Sequence, residues 1–246
     1  MLVQKTPLRG CFLLYVILSI GSTYVNSKMN RKTPFVVDEY YHIYNRGTDK
    51  RDIFLDSQDY ERFLRILYLC NTNKPIVVRD IPIGETYGFN REETIVDIGA
   101  YCLMKNHFHL LMREKIEGGI SLFMKKISTA YSMYFNSKYK RSGRLTEGVF
   151  KAVHSADDQQ LQYLFAYIHL NPLKFLDPQW HTRETLNTTE IKQYLTDYPH
   201  SSFLDWIGRQ RPENEIITTS SFPWSFQKET EFVDHLSVWF YNTNKG

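Results

Sequence analysis

Cysteine is scarce in this chain of 246 residues, present only as Cys11, Cys70 and Cys102. An odd, widely spaced set excludes a disulfide framework. No pair has the spacing of zinc ligands, and buried thiols in a reducing cytoplasm are the simplest account. Internal repeats and low-complexity tracts are missing, which removes solenoids and repeat arrays. The apolar run from Cys11 to Ile20 is too short for a secure membrane span. Neither sign of charge dominates, since the net charge is only +3.

The remaining composition is that of a globular protein. Apolar residues make up 42% and charged residues 23%, enough for one sizeable core or two small ones. Aromatics reach 15%, with 17 Tyr and 16 Phe, and such rings either pack a core or stack on bases. The small net charge hides a split. From Arg113 to Lys151 nine basic residues face three acidic ones, whereas from Ala152 onwards seven basic residues face twelve acidic ones. A basic middle segment fits a polyanion partner, or simply a solvated basic face.

Residues 1–28 differ from the rest. Lys5 and Arg9 precede the apolar run, and Gly21, Ser22 and Thr23 follow it, the layout of a signal peptide. Alternatively Met29, opening Met-Asn-Arg-Lys-Thr-Pro, is the true start and residues 1–28 are a mis-called extension. The second reading is preferred.

Hydrophobic periodicity predicts alternating strands and helices. Tyr40–Tyr44 reads as a strand and Asn45–Gly47 as a turn. Asp56 caps a helix running to about Cys70, with Tyr60, Phe63, Leu64 and Leu67 at helical spacing. Residues 71–90 read as a loop with a short strand at Ile76–Val78. Ile95–Met104 and His107–Met112 read as strands around a Lys105-Asn106 turn. A long helix runs from Ser121 to about Tyr139, with Lys125 and Lys126 off its apolar stripe. Arg141–Ser155 reads as loop or hairpin. A helix starting at Asp157 or Asp158 stops at Asn171-Pro172, because helical ψ is disfavoured before proline. Thr189–Leu195 reads as a short helix.

Two motifs carry chemistry. In Asn106-His107-Phe108-His109, strand alternation puts both imidazoles on one face. A pair of imidazoles suits a divalent metal, although His-x-His also occurs as two ordinary packed histidines. In Tyr167-Ile168-His169-Leu170-Asn171-Pro172, Tyr167 and Asn171 share a helix face. Tyr167 flanks the stripe of Leu161, Leu164, Phe165 and Ile168. A half-buried tyrosine followed by an Asn-Pro helix stop has the same spacing. Taken together, two His and one amide oxygen leave open positions on a metal for a phosphate, and a tyrosine hydroxyl is a nucleophile for phosphorus.

These residues resemble the single-tyrosine HUH transposases, in particular the REP-associated tyrosine transposase branch. The similarity runs over about residues 36–208. It is carried by Tyr41-His-Ile-Tyr-Asn-Arg-Gly47, Asp52–Leu55, Asp59–Phe63, Ala100–Leu111, Tyr134–Asn136, Arg141–Gly143, Tyr167–Pro172, Pro199–Ser202 and Trp206. The resemblance implies an α+β, ferredoxin-like fold with a central antiparallel sheet. It implies His107, His109 and Asn171 as ligands of Mg2+ or Mn2+, and Tyr167 as the nucleophile that forms a 5′-phosphotyrosine. The implied partner is single-stranded DNA, hairpin-bearing, and a homodimer is a further expectation. The chain departs from the family pattern at Val149, where an Arg is often found, at Glu147, often Gln, and at Arg144, often His.

The expected organisation is an N-terminal extension (1–28), a catalytic domain (29–180) and a C-terminal extension (181–246), in a cytoplasmic protein, or an exported one if residues 1–28 are a signal peptide. Expected DNA contacts are Arg46, Lys125, Lys126, Lys140, Arg141, Arg144 and Lys151. Two other functions share these motifs. A replication or mobilisation nickase generally carries a further large domain, for which 246 residues leave no room. A domesticated DNA-binding regulator would not need the intact His, His, Asn and Tyr.

Overall fold

The computed structural model describes residues 34–177, 188–224, 231–233 and 235–236. The extension at 1–28 lies outside them. Strand β1 (Tyr40–Arg46) leads to helix α1 (Ser57–Leu69) and then to the antiparallel pair β2 (Val96–Met104) and β3 (His107–Glu114). Helix α2 (Gly119–Lys138) returns the chain to β4 (Lys151–His154), after which α3 (Asp158–Leu170) follows. The sheet order is β2-β3-β1-β4 with every neighbouring pair antiparallel. This βαββαβ succession is the ferredoxin-like topology.

Side-chain alternation gives the sheet two apolar faces. Phe108, Leu110 and Met112 of β3 join Ile43, Phe63, Leu67, Phe123 and Ile127 in a core beneath α1 and α2. On the other face Leu111, Ala100 and Cys102 pack against Leu161, Leu164, Phe165 and Ile168 of α3. Strand β2, though at the sheet's edge, is covered on both faces and is buried throughout. Helix α1 starts as expected at Asp56, whose carboxylate accepts from Asp59 N at 3.1 Å in a reciprocal capping box.

Local differences from the expected elements have simple causes. Asn45 and Arg46 stay in β1, and the chain turns at Gly47, where a Cβ would lie 2.1 Å from the Arg51 carbonyl oxygen. Ile76–Val78 forms no strand. Val78 instead begins a short 3-10 turn and plugs the first core, with Ile76 and Ile81 packed against it, the flanking Pro75 having no N–H for a ladder. The segment after Arg141 makes no hairpin; its strand β4 pairs with the distant β1, Lys151 facing Tyr44.

The chain beyond α3 belongs to the same core. Short helices α4 (Leu173–Leu176), α5 (Thr188–Thr196) and α6 (Phe203–Trp206) follow, and Leu195, Phe203, Trp206, Phe222 and Phe232 pack with α3. Residues 200–202 bond to the outer edge of β2, Leu103 N donating to His200 O at 2.9 Å and Ser202 N to Tyr101 O at 3.0 Å. Arg211 clamps this segment, donating to Asp205 Oδ1 at 2.6 Å and to Tyr101 Oη at 2.7 Å. The sheet edge is thereby covered. No described helix is long and apolar enough to cross a membrane.

Two histidines in this layer couple folding to pH. Burial pushes His169 down to about 3, partly opposed by the hydrogen bond its ring donates to the Phe165 carbonyl, and pushes His200 down to about 4. Their folded values lie below the unfolded one, so their stabilisation is complete above about pH 6.5 and is lost as pH falls towards 4, at up to about 1.4 kcal/mol per pH unit for each ring. The thermal midpoint, followed by circular dichroism from pH 7.5 to 4, is expected to fall progressively below 6.5. A flat profile over that window contradicts the neutral buried state of both rings.

Candidate active site

The site starts from the alternation of β3. His107 and His109 point to the α3 face of the sheet, with ring centroids 4.9 Å apart and planes almost perpendicular. Across the ladder His109 faces Tyr44 and His107 faces Arg46. On the same face of β1, His42 Nε2 lies 2.8 Å from His109 Nδ1. His107 Nδ1 lies 2.6 Å from Asn106 Oδ1.

His109 is only 5% exposed, and its Nε2 has no hydrogen-bond partner. A buried ring nitrogen without a partner costs free energy unless something else satisfies it. The tautomer with the proton on Nδ1, donated to His42, leaves the Nε2 lone pair bare, as a metal ligand requires. Burial, reinforced by the Lys174 ammonium, pushes His42 down to about 3, and the same two causes with Arg46 push His107 down to about 4. His109 falls well below its usual range through burial and the neighbouring His107, His42 and Lys174. All three rings are therefore neutral near pH 7, the protonation state that coordination needs.

Helix α3 delivers the remaining groups. Its N-cap Asp157 accepts from Gln160 N at 2.7 Å, and its apolar stripe anchors it on β2 and β3. Tyr167, half-buried on the flank, presents its ring edge-on at 5.7 Å from His109 and 6.0 Å from His42. Asn171 is fully buried. Its Nδ2 donates to the Tyr167 carbonyl at 2.9 Å, which orients Oδ1 away from the helix. That oxygen accepts from Lys174 Nζ at 2.7 Å, and the same ammonium lies 3.2 Å from Tyr167 Oη.

One chain thus brings His107, His109, Tyr167 and Asn171 into one neighbourhood. The other tyrosines stand differently. Tyr163 stacks on Tyr167 at 6.0 Å, and burial raises its phenol far above the usual range. Tyr131 and Tyr134 lie across the sheet on α2, their hydroxyls donating to Ile53 O and Asp59 Oδ1. Among the described residues no cluster of three His, Cys, Asp or Glu is poised to hold a metal. Two imidazoles and one amide oxygen lie in this neighbourhood instead, and the His109 Nε2 without a hydrogen-bond partner and the neutral rings would suit a divalent cation.

The basic residues divide by face. Arg46 and Lys151 lie on the histidine face, Arg46 paired with Glu147 at 2.9 Å and exposed Lys151 with its ammonium 6.0 Å from the Tyr44 ring. Lys140, Arg141 and Arg144 sit in the loop before β4, which joins the end of β1 through a Gly47–Thr146 bridge. Lys140 and Arg144 are exposed, and Arg141 donates to Asn136 Oδ1 at 3.3 Å. The sheet separates Lys125 and Lys126 from the histidines. Lys125 is exposed, while the Lys126 ammonium is held by the carbonyls of Thr72 and Lys74. Val149 is 73% exposed beside this loop.

Two site residues escaped the sequence reading. His42 carries a usable signal, since it alternates with Tyr40 and Tyr44 on β1. Lys174 lies seven positions after Tyr167, and the proline between them obscured its place. Asn171 and Pro172 both keep right-handed helical dihedrals, so the helical path runs on and Lys174 returns to the face of Tyr167 and Asn171. His42→Ala removes the acceptor on His109 Nδ1 and is expected to weaken Mn2+ binding about 10- to 100-fold in titration calorimetry. Unchanged affinity denies His42 an orienting role.

Fold and site together define an α+β protein whose tyrosine, paired histidines and amide converge on one face of an antiparallel sheet. The family model described as "Transposase IS200 like" matches residues 36–171. The chain belongs to this family and is a transposase acting on DNA. No curated protein is similar to the chain. A solved structure, that of a REP-associated tyrosine transposase bound to a REP hairpin, is similar over 82% of this chain and 93% of that one, with 14% identity and a TM-score of 0.48.

Proposed function

We propose that this transposase cuts and rejoins single-stranded DNA through a 5′-phosphotyrosine on Tyr167, as the REP-associated branch suggested by its motifs does. The observation that carries the reading is the convergence of the Tyr167 ring on His109 at 5.7 Å, with the buried Nε2 of His109 left bare. Tyr167 Oη attacks phosphorus, the bond to the 3′-oxygen breaks, and the phenolic proton ends on the departing 3′-hydroxyl. The phosphodiester energy is kept in the tyrosyl ester, so a second 3′-hydroxyl reverses the attack and seals a new junction. His107, His109 and Asn171 would hold Mg2+ or Mn2+, which supplies Lewis-acid polarisation of the phosphate. Arg46 and Lys151 line the open part of the same face and would bind neighbouring phosphates, with Lys140, Arg141 and Arg144 extending the basic surface. His107, His109, Tyr167 and Asn171 are drawn from a single chain in this reading.

The test is incubation with hairpin-bearing single-stranded DNA and Mn2+, followed by a denaturing gel. A protein–DNA adduct that chelator suppresses supports strand transfer. Tight hairpin binding without any adduct would leave a DNA-binding regulator instead.

A further inference from the structure

Lys174 holds a charge that nothing described neutralises. Lys174 is half-buried, and among the described residues its ammonium touches only uncharged oxygens, Asn171 Oδ1 at 2.7 Å and Tyr167 Oη at 3.2 Å, and lies 5.0 Å from the Tyr167 ring centroid. No carboxylate among the described residues pairs with it. An ammonium whose described contacts are uncharged oxygens attracts a counter-ion. An anion placed beside Tyr167 Oη would supply one, and the substrate of the reading above brings a phosphate to that spot.

We propose that Lys174 is a catalytic residue of strand transfer, its ammonium gripping a non-bridging oxygen of the scissile phosphate while it contacts the attacking Tyr167 oxygen. The inference rests on the phosphotyrosine reading and adds a fixed protein charge to it. As the Tyr167 Oη–phosphorus bond forms and the phosphorus–O3′ bond breaks, charge grows on the equatorial oxygens, and Lys174 stands where that charge develops. The proton of the phenol still ends on the 3′-oxygen, and Lys174 keeps its own. An amide oxygen has two lone pairs, so the hydrogen bond to Asn171 leaves one for a metal. The position also explains why the helical path continues through Asn171-Pro172: a true stop there would carry Lys174 off the face of Tyr167.

The experiment is single-turnover cleavage of hairpin-bearing single-stranded DNA with Mn2+ by the full chain, its Lys174→Met and Lys174→Arg variants, and Tyr167→Phe. Lys174→Met is expected to slow cleavage about 100-fold with hairpin affinity held within about twofold. Lys174→Arg, keeping the charge, is expected to recover at least about a tenth of the wild-type rate. Wild-type cleavage by Lys174→Met overturns the proposal while the Tyr167→Phe loss leaves the phosphotyrosine reading standing. Equal defects in both lysine variants, accompanied by lower melting temperatures, also overturn it, because packing would then be the residue's role. Absence of an adduct from the wild-type chain overturns both.

Discussion

Tyr167→Phe is expected to abolish the covalent DNA adduct, lowering strand cleavage by at least about 10³-fold, because no other group can replace a missing nucleophile in place. The substitution removes one oxygen and little else. The ring keeps its edge-on packing against His42 and His109 and its stack on Tyr163. The lost oxygen contacts only the Lys174 ammonium at 3.2 Å among the described residues. Stability should therefore change by no more than about 1 kcal/mol, and hairpin affinity should be preserved. Denaturing gels and filter binding on the same preparations separate the two effects. An adduct that persists in Tyr167→Phe moves the nucleophile to another residue, with Tyr163 one turn away the first to examine. Its buried phenol is a poorer choice, since desolvation raises it far above the usual tyrosine range.

His109→Gln is the second large effect. His109 Nε2, like His42 Nδ1, is a buried nitrogen of the site without a hydrogen-bond partner, and removing it is expected to weaken Mn2+ binding at least about 100-fold and to suppress cleavage with it. Stability should change little. In the metal-free chain the unsatisfied nitrogen costs about 1–3 kcal/mol, which offsets the hydrogen bond to His42 that the substitution also removes, so the variant should melt close to wild type without metal. With Mn2+ present, only wild type should gain a higher melting temperature. Calorimetric titration and melting curves with and without Mn2+ test both halves. If His109 were an ordinary packed histidine, its loss would lower the melting temperature and leave Mn2+ affinity alone. That combination would remove the metal from the mechanism.

Much of the site was legible because it depends on short-range geometry. The two-residue period of a strand puts His107 beside His109 whatever the strand pairs with, and the four-residue spacing puts Asn171 one turn beyond Tyr167. The Asp56–Asp59 cap is equally local. The illegible parts share another property. Strand β4 has four residues, and it is a strand because Lys151 through His154 find β1 more than a hundred positions earlier. His42 gains its part only when β1 settles next to β3. Lys174 depended on the backbone path through a proline, where the general bias against helix before Pro pointed the wrong way. The C-terminal segment, without strong periodicity, finds its place by covering the outer edge of β2 and closing the core over α3.

The family resemblance carried by motif order was enough for the α+β class and the ferredoxin-like succession, and local periodicity for pairing the two histidines on one face and the tyrosine with the asparagine on another. They could not say that these groups meet within a single chain, that His42 backs His109, that Lys174 bridges Tyr167 and Asn171, or that the sheet shields Lys125 and Lys126 from the histidine face. The division has a physical basis. Which side chains share a face follows from backbone dihedrals a few residues long, whereas which faces meet follows from packing the whole core. Burial then decides which of the gathered groups stay neutral and which keep their charge.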